Sequence, residues 1–262
     1  MSKGLLDPKV DFVFKNIFGS PNHPEISFLN ATLKAKKKIV NVDIKKTDIE
    51  KQYIEDKYSR LDVKATTSND EIINIEIQLK NENNMVKRSL YYLSKMYEEQ
   101  LNEKEDYSKL VRTVCINILN FKYLKTDNFH TGYRFKEIES NEELTDIMEV
   151  HFIEIPKLQD SSDEKDMLVA WTEFLKDPES EKVRGLELSI EEIRQAKDEL
   201  IRMSNDSTQR ELYDMRANSL RDKMSELNAA ERKGIEKGRE EGRKEEKIKI
   251  ARNMKLSGLD TN

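Results

Sequence analysis

Asp62, Glu76 and Gln78 are the residues of this chain whose types and spacing suit metal-assisted hydrolysis of a phosphodiester. They lie in RLDVKATTSNDEIINIEIQLK, residues 60–80. In its first arm Leu61, Val63 and Ala65 alternate with Arg60, Asp62, Lys64 and Thr66. In its second, Ile73, Ile75, Ile77 and Leu79 alternate with Asn74, Glu76, Gln78 and Lys80. This period-2 pattern around Ser68-Asn69-Asp70 predicts a β-hairpin. A loop centred on Asn69 sets Asp62 opposite Glu76 and Arg60 opposite Gln78, with opposed Cβ atoms roughly 4.5–5.5 Å apart. Two carboxylates that close repel each other unless a cation lies between them. A divalent ion, Mg²⁺ first and Mn²⁺ or Ca²⁺ as substitutes, is the natural candidate, with Mg²⁺ ligand oxygens at about 2.0–2.1 Å. The backbone carbonyl of Ile77 offers a further ligand.

Hydrolysis also needs a group to orient water and cations to neutralise the phosphate. Gln78 shares the strand face of Glu76 and can orient a water. Lys64 and Lys80 alternate onto that face and can reach a phosphate. On the helix expected next, Lys87 belongs to a basic pair with Arg88. Arg88 and Tyr92 lie one turn apart, placed to contact a nucleic-acid backbone or to brace the carboxylates. The hairpin has a plainer reading too. Alternating polar faces are common in antiparallel sheets, and these residues can simply face solvent. The pattern alone leaves both readings open.

The elements that must position these groups read as an α/β chain with a mixed sheet. Residues 7–35 carry one or two helices, interrupted by GSPNHP, and 39–47 alternate as a first strand. Residues 84–103 form a helix with Val86, Leu90, Leu93, Met96 and Tyr97 on one face. It joins the hairpin to the apolar strand 112–121, as a parallel crossover requires. Two more strands follow at 131–138 and 148–155, then several short charged helices over 163–230. Three regions are expected: a core over 1–160, a helical region over 161–230 and a charged, partly frayed helical tail over 231–262. In the tail, Ile235, Ile248, Ala251, Met254 and Leu256 offer a weak self-associating stripe; a homodimer is expected on the separate ground that cutting both strands of a duplex is simplest with two active sites.

Charged residues make up 37% of the chain and its net charge is −5, which argues against coating nucleic acid by bulk attraction. Local basic patches and a metal still permit a nuclease. No apolar run approaches the ~18 residues of a membrane span. A single cysteine, Cys115, sits in the apolar VCINILNF, so a reducing cytoplasm is expected. His23, His130 and His151 are far apart in sequence and read as separate loop or strand histidines. Neither a Walker-type phosphate loop nor an acyl-hydrolase nucleophile elbow occurs.

The chain resembles the PD-(D/E)XK nuclease family transposases, also called recombination-promoting nucleases. The likeness rests on LDPKVDFVFKNIFG near the start, the LDVKA and IEIQLK strands, the helix MVKRSLYYLSKMYEEQ and, weakly, the tail IEKGREEGRKEEK. It covers roughly residues 3–160 well. The resemblance implies a restriction-endonuclease-like core and a metal-dependent DNA endonuclease tied to mobile elements, recombination or defence against foreign DNA. By motif position Asp62 is the metal-binding Asp, Glu76 the acid of the (D/E)XK element, and Gln78 stands where its Lys would be. Asp11, in the first helix, is the additional acid such folds place near the metal. An amide carries no charge and does not titrate, so Lys64 or Lys80 must supply any positive charge. A reading of another class is a catalytically idle nuclease fold that binds DNA or self-assembles.

Overall fold

The computed structural model describes residues 4–19, 24–34, 37–45, 63–163 and 165–256. Two compact units divide the chain, 1–213 and 214–262. The first holds six strands: β1 (Val42–Lys45), β2 (Val63–Thr67), β3 (Ile72–Gln78), β4 (Thr113–Leu119), β5 (His130–Lys136) and β6 (Glu143–Glu154). They form one sheet in the order β1-β2-β3-β4-β6-β5. β1, β2 and β3 are antiparallel, β3, β4 and β6 run parallel, and β5 returns antiparallel to β6. The mixed α/β sheet expected from the sequence is therefore present, and helix α3 (Met85–Glu98) is its crossover from β3 to β4.

The hairpin takes the expected register, with Val63 opposite Ile75 and Lys64 opposite Asn74. Its turn is held by short polar side chains. Thr67 Oγ1 lies 3.0 Å from Glu71 Oε2 and accepts from Asn69 N at 3.2 Å. Asp70 N donates to the Thr67 carbonyl at 3.0 Å, and Asp70 takes φ 62°, a left-handed conformation that Asp tolerates.

β3 is an inner strand, hydrogen-bonded on both edges. β4 (TVCINIL) is buried along its whole length, as a strand covered on both faces must be. On one face α3 sets Met85, Tyr92, Leu93 and Met96 against Cys115, Leu119, Val150 and Phe152. The alternate residues Ile73, Ile75, Ile77, Val114, Ile116 and Ile118 are equally buried and point to the other face.

Helices α1 (Asp11–Phe18), α2 (Pro24–Leu33) and α4 (Met167–Lys176) share an aromatic cluster. Phe18 stands 5.4 Å from Phe28 and 5.4 Å from Trp171, ring centre to ring centre. Trp171 Nε1 donates to Ser27 Oγ at 3.1 Å. The LDPK segment is stitched to the same helices. Lys9 Nζ donates to the Leu175 and Lys176 carbonyls at 2.9 and 3.3 Å, occupying acceptors the end of α4 leaves open. Leu6 N donates to Ser204 Oγ at 3.0 Å, near the end of α6 (Glu191–Asn205). Asp7 and Lys9 thus have an architectural task.

The helices over 163–230 begin short, as expected, and end in one far longer than expected. After α5 (Glu181–Ser189) and α6, one helix, α7, runs from Ser207 to Leu256, and its continuation beyond Tyr213 makes up the second unit. Its glycines do not break it, and a Cβ added at Gly234, Gly238 or Gly242 would meet nothing within 4 Å. No helix among the described residues is long and apolar enough to cross a membrane.

Candidate active site

Asn74, Glu76 and Gln78 project from one face of β3 beside Cys115, Asn117 and Leu119 of β4, their register partners. Helix α3 lies over them, and a polar layer forms where its first turns meet the sheet. Ser89 Oγ lies 2.8 Å from Asn117 Oδ1 and 2.7 Å from the Met85 carbonyl, and Asn117 Nδ2 donates to the His151 carbonyl at 3.0 Å. Glu76 is only 1% exposed. Its polar strand face is therefore interior, and the solvent-facing alternative does not hold for it.

One carboxylate oxygen of Glu76 is doubly held. Oε1 accepts a charge-assisted hydrogen bond from Arg88 and another from Gln78 Nε2 at 2.9 Å. The Arg88 guanidinium lies over the Tyr92 ring, 5.4 Å from its centre, which fixes its approach. Glu76 Oε2 has no hydrogen-bond partner among the described residues, and neither do Asn74 Oδ1 and Arg88 Nε. Burial pushes the Glu76 carboxyl above its ordinary value, and Arg88 and Gln78 only partly offset it. A buried carboxylate with one orphaned oxygen and too little positive charge fits a cation bound on that side. Among the described residues no group of three His, Cys, Asp or Glu side chains comes together as a complete metal site.

Asp62 lies outside the described residues; Val63, next in sequence, pairs with Ile75. Ile77 follows Glu76 in β3 and is itself buried. Asp11 stands in the first turn of α1, whose buried residues are Phe12, Val13, Phe14, Ile17 and Phe18. Lys64 pairs with Glu99 at 3.5 Å, at the end of α3 away from Arg88, so its charge has another partner. Lys80 follows β3 and Lys87 is exposed on α3. Arg88 is hydrogen-bonded to Glu76, and Tyr92 is buried beneath its guanidinium at 3% exposure.

Sequence reasoning missed a second polar chain. His130 and His151 are brought together by the pairing of β5 with β6. Their ring nitrogens lie 2.9 Å apart in nearly coplanar rings. His151 Nε2 is 2.7 Å from Glu149 Oε1, and Arg112 and Arg134 hold Glu149 Oε2. Burial raises the Glu149 carboxyl, but hydrogen bonds from His151, Arg112 and Arg134 outweigh it and hold it at about 2. An ionised carboxylate only accepts, so His151 donates to Glu149 through Nε2. Burial, then His151, lowers His130 to about 4. The available signal was the i, i+2 spacing of Glu149 and His151 on one strand face.

A mixed sheet with its acidic residue on an inner strand and a crossover helix bracing it defines an α/β fold of the restriction-endonuclease type. The family model for PD-(D/E)XK nuclease family transposases matches residues 8–230, and the chain belongs to that family. No curated protein and no solved structure shows a significant match to the chain.

Proposed function

We propose that this protein is a divalent-metal-dependent DNA endonuclease, acting in the reducing cytoplasm and serving mobile elements, recombination or defence against foreign DNA. The observation that carries the metal is the orphaned, buried Oε2 of Glu76. Asp62 and Glu76 would hold the ion, with the Ile77 carbonyl and Asp11 as further ligands. Bound there, Mg²⁺ supplies positive charge that polarises the phosphodiester and lowers the pKa of water. Arg88 fixes the Glu76 carboxylate by one oxygen and leaves the other turned to the ion. Gln78 spends an amide N–H on Glu76, so its carbonyl oxygen is the acceptor that orients the attacking water. Lys80 and Lys87 contribute charge along the substrate. Lys64 contributes only if it exchanges Glu99 for a phosphate.

Supercoiled plasmid incubated with wild type, Asp62→Ala and Glu76→Ala in Mg²⁺, Mn²⁺ or Ca²⁺ tests this reading. Nicking or linearisation by the wild type alone is the expected result. Cleavage that survives both substitutions removes the site from Asp62 and Glu76.

One observation favours a second reading, an idle nuclease fold that self-assembles. The second unit is a helix that exposes Met215, Ile235, Ile248, Ile250 and Leu256. Mg²⁺ separates the two readings, because an intact site gains thermal stability from the ion and a site without bound metal does not.

A further inference from the structure

The loop between β4 and β5, residues 120–129, is anchored beside the strand that carries Glu76, and none of the roles above uses it. β3, β4 and β6 are parallel, so their C-terminal ends and the loops leaving them lie at one end of the sheet. In parallel α/β sheets that is the end where ligands bind. The loop starts against the candidate site: Asn120 N donates to the Gln78 carbonyl at 2.9 Å. It then reaches the first turn of α3, where Val86 N donates to Tyr123 Oη at 3.5 Å.

Two interior charges hold this loop. Glu154, at the end of β6, is 1% exposed along its side chain and Lys157 is 6% exposed. Glu154 Oε2 accepts from Tyr123 N at 2.5 Å and from Leu124 N at 3.2 Å. Lys157 Nζ donates to the Leu124 and Thr126 carbonyls at 2.7 and 2.6 Å and to Glu154 Oε1 at 2.8 Å. Phe121, Tyr123 and Leu124 pack on the α3 core beneath. Burying an ammonium and a carboxylate is costly, and nearly every bond they make goes to this loop's backbone. The result is a fixed platform whose outward residues include Lys122 and Lys125, exposed and in no ion pair among the described residues.

We propose that this loop is a preformed grip for the phosphodiester backbone of a DNA strand at the Glu76 site. Lys122 and Lys125 are the contacting cations, and Glu154 with Lys157 is the positioning pair. The assignment of DNA rests on the nuclease reading. Two point charges on a rigid backbone suit phosphates, which bind through charge without base identity.

Fluorescence anisotropy with a short labelled DNA duplex in EDTA, across a salt series, tests the grip without cleavage. Lys122→Ala/Lys125→Ala should bind more weakly than wild type, with a log K against log salt slope shallower by about 1.8, or ~0.9 for each lost phosphate contact. Lys157→Met keeps both surface lysines but frees the loop, so it should weaken binding and leave the slope near wild type. Wild-type affinity and slope in the double lysine variant overturn the grip, and if Glu76→Ala still abolishes plasmid cleavage the nuclease reading stands without it. Lysine-dependent binding by a wild type that cleaves nothing supports the grip and sinks the nuclease. A wild type that does not bind the duplex overturns the grip, and plasmid cleavage then judges the nuclease separately.

Discussion

Arg88→Met is the substitution that best exposes what Glu76 is for. It removes the one cation hydrogen-bonded to Glu76 among the described residues and keeps most of the packing of the Arg88 stem. Breaking a fully buried ion pair from one side costs about 3–5 kcal/mol. Three features reduce that here: the Arg88 side chain is 21% exposed, Gln78 still donates to Oε1, and Glu76 can take up a proton. A loss of about 2 kcal/mol is the discounted figure, or ~4–8 °C in melting temperature for a unit of this size. Burial already holds the Glu76 pKa above its ordinary 4.5. The native state therefore keeps the proton more tightly than the unfolded chain. Stability on this account falls as pH rises from 4.5 to the folded pKa and is level above it. Removing Arg88 extends that interval upward, so the penalty is full at neutral pH and shrinks as pH falls towards 4.5. Mg²⁺ should do at neutral pH what a proton does in acid. At a hundred times its Kd an ion bound only to the native state adds about 2.7 kcal/mol, and its gain should be larger in the variant, which lacks the competing guanidinium. The assay is thermal unfolding of wild type, Arg88→Met and Glu76→Gln/Arg88→Met, with EDTA or Mg²⁺, at pH 5 and 7. A gap between wild type and Arg88→Met that neither Mg²⁺ nor acid narrows would refute the reasoning. So would a Mg²⁺ response that survives Glu76→Gln.

Three further outcomes follow from the second polar chain. Glu149, held at about 2 against an ordinary 4.5, contributes about 3 kcal/mol that is present above pH 4.5 and lost as pH falls through 2. Denaturant unfolding from pH 7 down to pH 2 should show that acid limb in wild type and a flatter one in Glu149→Gln. Gly132→Ala would set a Cβ 3.0 Å from His151 Cε1 and 3.2 Å from its Nδ1, forcing the ring aside. A loss of about 1–3 kcal/mol is expected in calorimetry, and an unchanged melting temperature would mean that β5 yields freely. Nitrogen-15 NMR should find His151 protonated on Nε2 and His130 neutral down to about pH 4. A His130 that titrates near 6.5 would contradict the burial and the His151 contact that lower it.

The hairpin was legible because everything that sets its register is local. Alternation fixes which residues share a face, and the Thr67–Asp70 turn fixes where the chain reverses. The meaning of its polar face was not legible. Whether Glu76 meets water or the interior depends on β4 pairing along β3 and on α3 crossing above, both set by residues remote in sequence. His130 and His151 were missed for the same reason, since twenty residues separate two neighbours that only strand pairing joins. α7 was read as short pieces because its sequence is polar all round, with glycines that lower helix propensity without forbidding a helix.

Glu71 and Glu149 on one side and Glu76 on the other settle their charges in opposite ways, and that contrast sets the two sites apart. Towards the N-terminal ends, Glu71, Arg112 and Glu149 span β3, β4 and β6, and all four carboxylate oxygens have partners. Glu71 has Arg112 and Thr67, and Glu149 has His151, Arg112 and Arg134. A closed network of this kind can hold strands in register and asks for nothing more. Towards the C-terminal ends, Glu76 is as deeply buried, yet it is held by one oxygen and its pKa is raised where that of Glu149 is lowered. Had burial of a carboxylate served only stability here, a donor from α3 would have closed the account at Oε2 as His151 does at Oε1 of Glu149. Under the proposed function, the positive charge that offsets this cost is the bound ion.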